Sequence, residues 1–264
     1  MIRIRTCRGF DEFEACVQMQ IETWGYDQTD VIPRKAFQVA QKIGGQILGA
    51  FDTELPGAGP EGGPSSMVAF AMSFPGVKTE EGVARPYMHS HMLAVREGYR
   101  NRGLGAQLKL EQRREALSRG ITLMEWTFDP LEIRNAHLNV HKLGALVRSY
   151  FRDFYGVSSS RLQGGLPTDR LVAEWRLNSA RVTATLEGRP GTAYEIAERI
   201  LVPASIYEWK ASDKDRERAL AVQTENRRKF ESAFAEGLAV VGYVRDAEGN
   251  GIFELGPLTQ AEIP

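Results

Sequence analysis

HSHMLAVREGYRNRGLGA, residues 89–106, is the stretch from which the reading of this chain starts. His89, His91, Leu93 and Val95 alternate with Met88, Ser90, Met92 and Ala94, the period of two expected of a pleated strand. A polar turn, Arg96–Tyr99, leads into Arg100-Asn-Arg-Gly-Leu-Gly105, and the chain then becomes helix-forming from Leu104 to Leu117. A strand that feeds a glycine-containing turn at the start of a helix is built to hold an anion. The first helical N–H groups lack intrahelical partners, and the helix dipole adds partial positive charge there. Gly103 and Gly105 let a pyrophosphate approach the backbone, and Arg100 and Arg102 add full charge.

Spacing sorts this turn from other phosphate loops. A Walker loop needs Gly-Lys-Ser/Thr, which is absent, and the dinucleotide fingerprint needs a third glycine at position 108, which is Leu108. What remains is R-x-x-G-x-G behind an apolar strand. This resembles motif A of the GCN5-related N-acetyltransferases (GNAT), written Q/R-x-x-G-x-G/A. The resemblance implies that the amides of Arg100, Asn101, Arg102, Gly103, Leu104, Gly105 and Ala106 cradle the acetyl-CoA pyrophosphate. It also implies that the backbone of Leu93, Ala94 and Val95 pairs with the pantetheine arm.

Around this stretch the composition is that of an ordinary globular chain: 264 residues, 42% hydrophobic and 25% charged. The formal charge of −1 lacks the broad basic excess of a nucleic-acid binder. Cys7 and Cys16 form no C-x-x-C pair and read as reduced thiols. The N-terminus is charged from Arg3, in the pattern of an amphipathic strand rather than a secretory signal, and no apolar run reaches the ~18 residues of a membrane span. The expectation is a cytoplasmic protein with no nucleic-acid or membrane partner.

In chain order, residues 2–6 read as a strand and residues 11–24 as an amphipathic helix through Phe13, Cys16, Val17 and Trp24. A second helix starts at Pro33 and runs to about Ile43, before a strand at 46–51. The glycine- and proline-rich 54–65 reads as a hairpin connection, 67–74 as its partner strand and 75–86 as another loop. In the 104–118 helix, Ala106, Leu110 and Leu117 mark an apolar stripe interrupted by Arg113, and its basic groups face either solvent or a ligand. Residues 121–128 are apolar on both faces, as in a central strand. A helix from Glu132 to Gly144 follows, then strands at 146–154 and 171–177.

The element order to residue 177, β-α-α-β-β-β-α-β-α-β-β, is also that of the GNAT fold. The expected class is therefore α/β (α+β), a mixed central sheet flanked by helices. Residues 1–165 would form the acetyl-CoA-binding domain, and residues 166–264 an α+β extension packing on the same sheet. The extension reads as a strand at 197–202, a helix opened by a Ser212-x-x-Asp215 capping box, and a hairpin at 238–255. The Lys142-Leu-Gly144 run resembles the family's Y-x-K-x-G-F motif. Val140 stands at the Tyr position and Ala145 at the Phe position. The usual general acid is thus missing, and Tyr150 or Tyr155, or solvent, would replace it.

All four histidines lie between 89 and 141. The resemblance puts His89 where histone-type enzymes carry a catalytic Glu, and H-x-H-x-L-A-V is similar to arylalkylamine N-acetyltransferases. A histidine titrating near neutrality suits deprotonation of an amine, a contribution worth ~10²–10⁴ in rate. The competing reading joins His89 and His91 to His137 and His141 as metal ligands. Glu125, in an otherwise apolar strand, reads as a substrate anchor, a second base or a structural partner of an Arg. Asn135 would lie near the pantetheine or cap a helix. The expected activity is direct acetyl transfer from acetyl-CoA to a small amine, without metal, between the 87–95 and 121–128 strands, with a homodimer open. A non-catalytic CoA or acyl-CoA sensor is the alternative, and a His-ligated metal-dependent hydrolase a third.

Overall fold

A computed structural model of the chain describes residues 1–80, 82–259 and 262. The chain divides into two compact units, Met1–Met124 and Glu125–Pro264. In the first, β1 (Ile2–Thr6), α1 (Gly9–Trp24), α2 (Arg34–Lys42), β2 (Gln46–Asp52), β3 (Met67–Glu80), β4 (Val83–Val95) and α3 (Leu104–Ser118) follow one another. The strands run β1-β2-β3-β4, each antiparallel to the next.

Its sheet has a different core on each face. On one, Phe13 and Cys16 of α1 and Phe37 of α2 close over Phe51, Phe70, Met72, Met92 and Ala94. Phe13 and Phe37 stack at 6.1 Å, and each such ring contributes about 1.5–3 kcal/mol by leaving water. On the other face, Leu104 and Leu108 of α3 pack against Leu48, Ala69, Ala71, Leu93 and Val95.

Two expectations for this unit need correction. The 75–86 segment is no loop: β3 and β4 continue as a two-stranded arm from the Phe74–His89 rung to the Glu80–Val83 rung. Pro75 is tolerated there because β2 stops at the Gln46–Ser73 rung, leaving that edge of β3 without a ladder to break. The stripe on α3 is also shifted. Leu104, Leu108, Lys109, Gln112 and Ala116 are buried, whereas Leu110 is 40% exposed. The helix meets the sheet along an i, i+4 row that includes the polar Gln112, with Lys109 buried beside it, so hydrophobicity alone pointed to the wrong face.

The strand β5 (Leu123–Phe128) leads into the second unit. There α4 (Ile133–Ala136) continues as a π-helical turn, His137–Lys142, before β6 (Leu146–Phe151) and β7 (Arg170–Arg176). Then come α5 (Ala180–Leu186), β8 (Glu198–Val202), α6 (Ile206–Ala211), α7 (Arg216–Ala235), β9 (Leu238–Arg245) and β10 (Gly251–Pro257). The strand order β7-β6-β9-β10-β8 is antiparallel throughout. Trp126 meets Trp175 edge-on at 5.9 Å, and Phe230 of α7 packs on Phe253 and Tyr150. The expected capping box is absent: Asp215 is the N-cap of α7 without a side-chain cap bond, and the Ser212 hydroxyl donates to Asp215 instead. The short helices α5 and α6 were not legible; α5 is announced only by Ser179, whose hydroxyl accepts from the Val182 N–H.

Candidate active site

The strand that carries the histidines is bulged at His91. Met72 pairs with Met92 and Ser73 with Ser90, so His91 has no opposite number on β3. The bulge reverses the alternation. Leu93 and Val95 face α3, whereas Met92 and Ala94 face α1 and α2. Before the bulge the sides exchange: Ser90 bonds to α3, and His91 lies 5.7 Å from Phe74, which packs on the α1/α2 side. The four-residue face read from the sequence is therefore two faces. His89 and His91 keep each other's company, ring centroids 5.9 Å apart, but Leu93 and Val95 lie on the opposite side.

Both imidazoles are half-buried, and burial disfavours their charged forms. Burial, helped by His91 and Lys109, pulls His89 down to about 4, and burial alone lowers His91. Both rings are thus mainly neutral at physiological pH, with a ring nitrogen free of its proton, but the lowering makes them weaker bases than the near-neutral titration expected from the sequence. Behind the strand, Lys109 donates to the Ser90 hydroxyl at 2.8 Å, and Ser90 donates to Gln112 Oε1 at 3.1 Å. Lys109 is 3% exposed, and burial pushes its ammonium well below the ordinary lysine value. It does not belong to a solvated flank. Its burial and its bond to Ser90, remote in sequence, set it apart from the exposed charged residues of the helix.

The turn after β4 has the geometry of an anion cradle. Gly103, at φ 79°, is the N-cap of α3; no side chain caps the helix and no acidic residue occupies its first turn. A Cβ at Gly103 would meet nothing closer than Gln107 Nε2 at 3.9 Å, so the space in front of it is open. Asn101 also takes a left-handed φ of 61°. Arg100 donates to the Val95 carbonyl at 3.0 Å, and Arg102 lies 5.2 Å from the Tyr99 ring. Leu104 is buried and anchors the turn, whereas Gly105 and Ala106 stay partly exposed.

The remaining expected residues lie in the second unit, on three different elements. Glu125 is buried on β5 at 8% exposure. Asn135 is exposed within α4 and is not its N-cap, a position held by Glu132. Tyr150 donates its hydroxyl to Asp169, which also receives Arg227 at 2.8 and 3.0 Å. Burial and the Asp169 carboxylate push the Tyr150 phenol well above its ordinary value, making it a structural donor and a poor acid. His137 and His141 stack at 4.6 Å. Among the described residues no group of three or more His, Cys, Asp or Glu could hold a metal ion.

By sequence, no family model matches the chain and no curated protein is similar to it. By structure, it is similar to Arabidopsis thaliana NAA60 in complex with acetyl-CoA (TM-score 0.55, 14% identity, covering 68% of this chain and 100% of that one). The same protein with a bisubstrate analogue gives a TM-score of 0.51 at 15% identity, covering 66% of this chain and 98% of that one. The chain has the GNAT acetyltransferase fold. A GNAT family acetyltransferase from Elizabethkingia anophelis with acetyl-CoA bound is a looser likeness, at TM-score 0.45 and 12% identity over 66% of this chain and 97% of that one. In the present GNAT fold, the R-x-x-G-x-G turn is the entry to α3 and the histidine pair lies on the strand just before it.

Proposed function

We propose that this protein is an acetyl-CoA-dependent N-acetyltransferase acting on a small amine, with the chemistry carried by residues 1–165. The observation that carries the reading is the uncapped N-terminus of α3, open in front of Gly103 and directly following the strand with two neutral imidazoles. A pyrophosphate fits this turn because the unpaired amides of the first helical turn and the charges of Arg100 and Arg102 complement it. Acetyl-CoA would supply an activated acyl thioester. The chain's own part is to hold the diphosphate at residues 100–106, align the pantetheine along the backbone of Leu93–Val95, and remove a proton from the incoming amine. His89 or His91 accepts that proton on a ring nitrogen, directly or through water, and passes it to solvent. Tyr150 is left out of the chemistry, since its hydroxyl is committed to Asp169.

The sensor alternative shares the cradle and differs only in turnover. The hydrolase alternative finds no ligand group of the required size among the described residues. Calorimetric titration with acetyl-CoA, combined with a thiol-release assay over an amine library, tests the reading. His89→Ala with His91→Ala should leave CoA affinity near wild type and lower kcat/KM by ~10²–10⁴. Gly103→Glu, which puts a carboxylate at the mouth of the cradle on a left-handed backbone, should remove CoA binding. Persistent turnover in the histidine variant refutes the base assignment, and intact CoA affinity in Gly103→Glu refutes the cradle.

A further inference from the structure

Beneath the bulge at His91, the side of the sheet that meets α3 is polar. Ser73 and Ser90 face each other on the rung next to the bulge. Lys109 donates to the Ser90 hydroxyl at 2.8 Å, and Ser90 donates to Gln112 Oε1 at 3.1 Å. Ser73 donates to Gln46 Oε1 at 3.0 Å, while Gln46 Nε2 donates to the Gln112 carbonyl at 2.9 Å and to Glu115. Gln46, Ser73, Ser90, Lys109 and Gln112 are all buried. The rest of this face is apolar, built from residues such as Leu48, Ala71, Leu93 and Leu108.

Such a layer is costly for stability. A buried amine gives up its hydration, and apolar side chains of similar size would fill the space without that loss. Gln112 Nε2 is buried with no hydrogen-bond partner among the described residues, so the layer is not even fully satisfied.

What the layer decides is the face of β4 on which the histidines stand. Leu93 and Val95 point to α3, and a straight strand would carry His91 and His89 to the same side. The bulge offsets the alternation by one, so that Met88 and Ser90 take the α3 side; Arg119 Nη2 lies 3.7 Å from Met88 Sδ. Ser90 carries the directional bonds of that side. A straight register would withdraw its hydroxyl from Lys109 and Gln112 and push an imidazole into their place. The charged and titratable groups around His89 are His91 on its own strand, Lys109, Glu115 and Arg119 on α3, and Glu22 on α1. Glu115 is paired with Arg119 and Glu22 with Arg96, which leaves His91 and Lys109 to act on the ring. The β3 residues beside it are Ser73 and Phe74.

We propose that Ser90, Lys109 and Gln112 are positioning residues: by holding the Ser90 hydroxyl against α3 they keep the bulge at His91 and present both imidazoles on the opposite face. Their part in catalysis rests on the reading of the histidine pair as the base in acetyl transfer.

Threonine and valine are both β-branched and suit a strand, so Ser90→Thr against Ser90→Val tests the hydroxyl at nearly constant shape. In the full chain, NMR titration of the histidine rings should find His89 at about 4 in Ser90→Thr, as in wild type. In Ser90→Val it should climb towards 6.5 as the ring loses its burial. With acetyl-CoA and an accepted amine, Ser90→Val and Lys109→Met should each lower kcat about tenfold or more, with CoA affinity near wild type. Ser90→Thr should stay within about threefold of wild type. Lys109→Met, which needs no extra room, carries the test should Ser90→Val fail to fold. Histidines that titrate alike in Ser90→Val and Ser90→Thr, or a Lys109→Met enzyme with wild-type kcat, would overturn the proposal. If the wild type transfers no acetyl group, the catalytic reading fails, and the NMR comparison, which needs no substrate, still decides whether Ser90 holds the pair.

Discussion

The histidine pair shows how much one position depends on its surroundings. An unperturbed imidazole titrates near 6.5, whereas His89 does so at about 4, because the folded chain desolvates its cation beside a second imidazole. The unfolded chain therefore binds the proton more readily, and stability is lost as pH falls from about 6.5 towards 4. That gap corresponds to about 3 kcal/mol at its acid limit. His89→Gln, neutral at every pH, should flatten this part of the profile in urea unfolding series taken between these pH values. An unchanged acid slope in the variant would show that His89 is not desolvated in the fold. The pattern H-x-H marked these residues as candidates, but their neutrality came from burial, which no spacing reveals. Tyr150 is the converse case: an available phenol in the sequence, tied in the structure to Asp169.

Elements fared better than the faces they present. The strand at residue 89, the turn at Arg100 and the helix from Leu104 were legible because each is signalled by neighbours in the chain: alternation, a glycine turn and a run of helix formers. Their orientation was not. The bulge at His91 reverses β4 halfway along, and a bulge is visible only when the opposite strand is counted. On α3 the apolar stripe suggested by Ala106, Leu110 and Leu117 loses to a face containing Lys109 and Gln112, whose Nζ and Oε1 both meet the Ser90 hydroxyl of β4. Leu108→Ala should thus cost about 2–5 kcal/mol, while Leu110→Ala should stay within about 1 kcal/mol. Chemical denaturation of the two variants side by side is the check, and equal costs would restore the sequence-based face.

At the scale of the molecule, the element order through β7 was readable, whereas the second unit yielded less. Its interior includes a carboxylate with no water contact: the Asp169 side chain is 0% exposed and receives Tyr150, the Asp153 N–H and both forks of Arg227. Arg227→Ala should destabilise the protein by about 3–5 kcal/mol, because it strands that charge. Combining it with Asp169→Asn should recover part of the loss, as thermal unfolding will show; a double variant no better than the single would place the cost elsewhere, in packing of the arginine stem. Asp169 and Arg227 are 58 residues apart and carry no mutual signal in the chain.

By itself, then, the amino-acid order determined most of the strands and helices through β7 and where the glycine turn before α3 falls, since those depend on contacts within a few residues and on backbone groups every chain possesses. Only the tertiary structure decided that His89 and His91 share a face without Leu93, that Lys109 is buried, that residues 75–86 form an arm and that Tyr150 serves Asp169. Each of those outcomes is set by a partner brought near by folding, and the free energy of burying a charge or pairing a strand edge has no counterpart in the sequence around either residue alone.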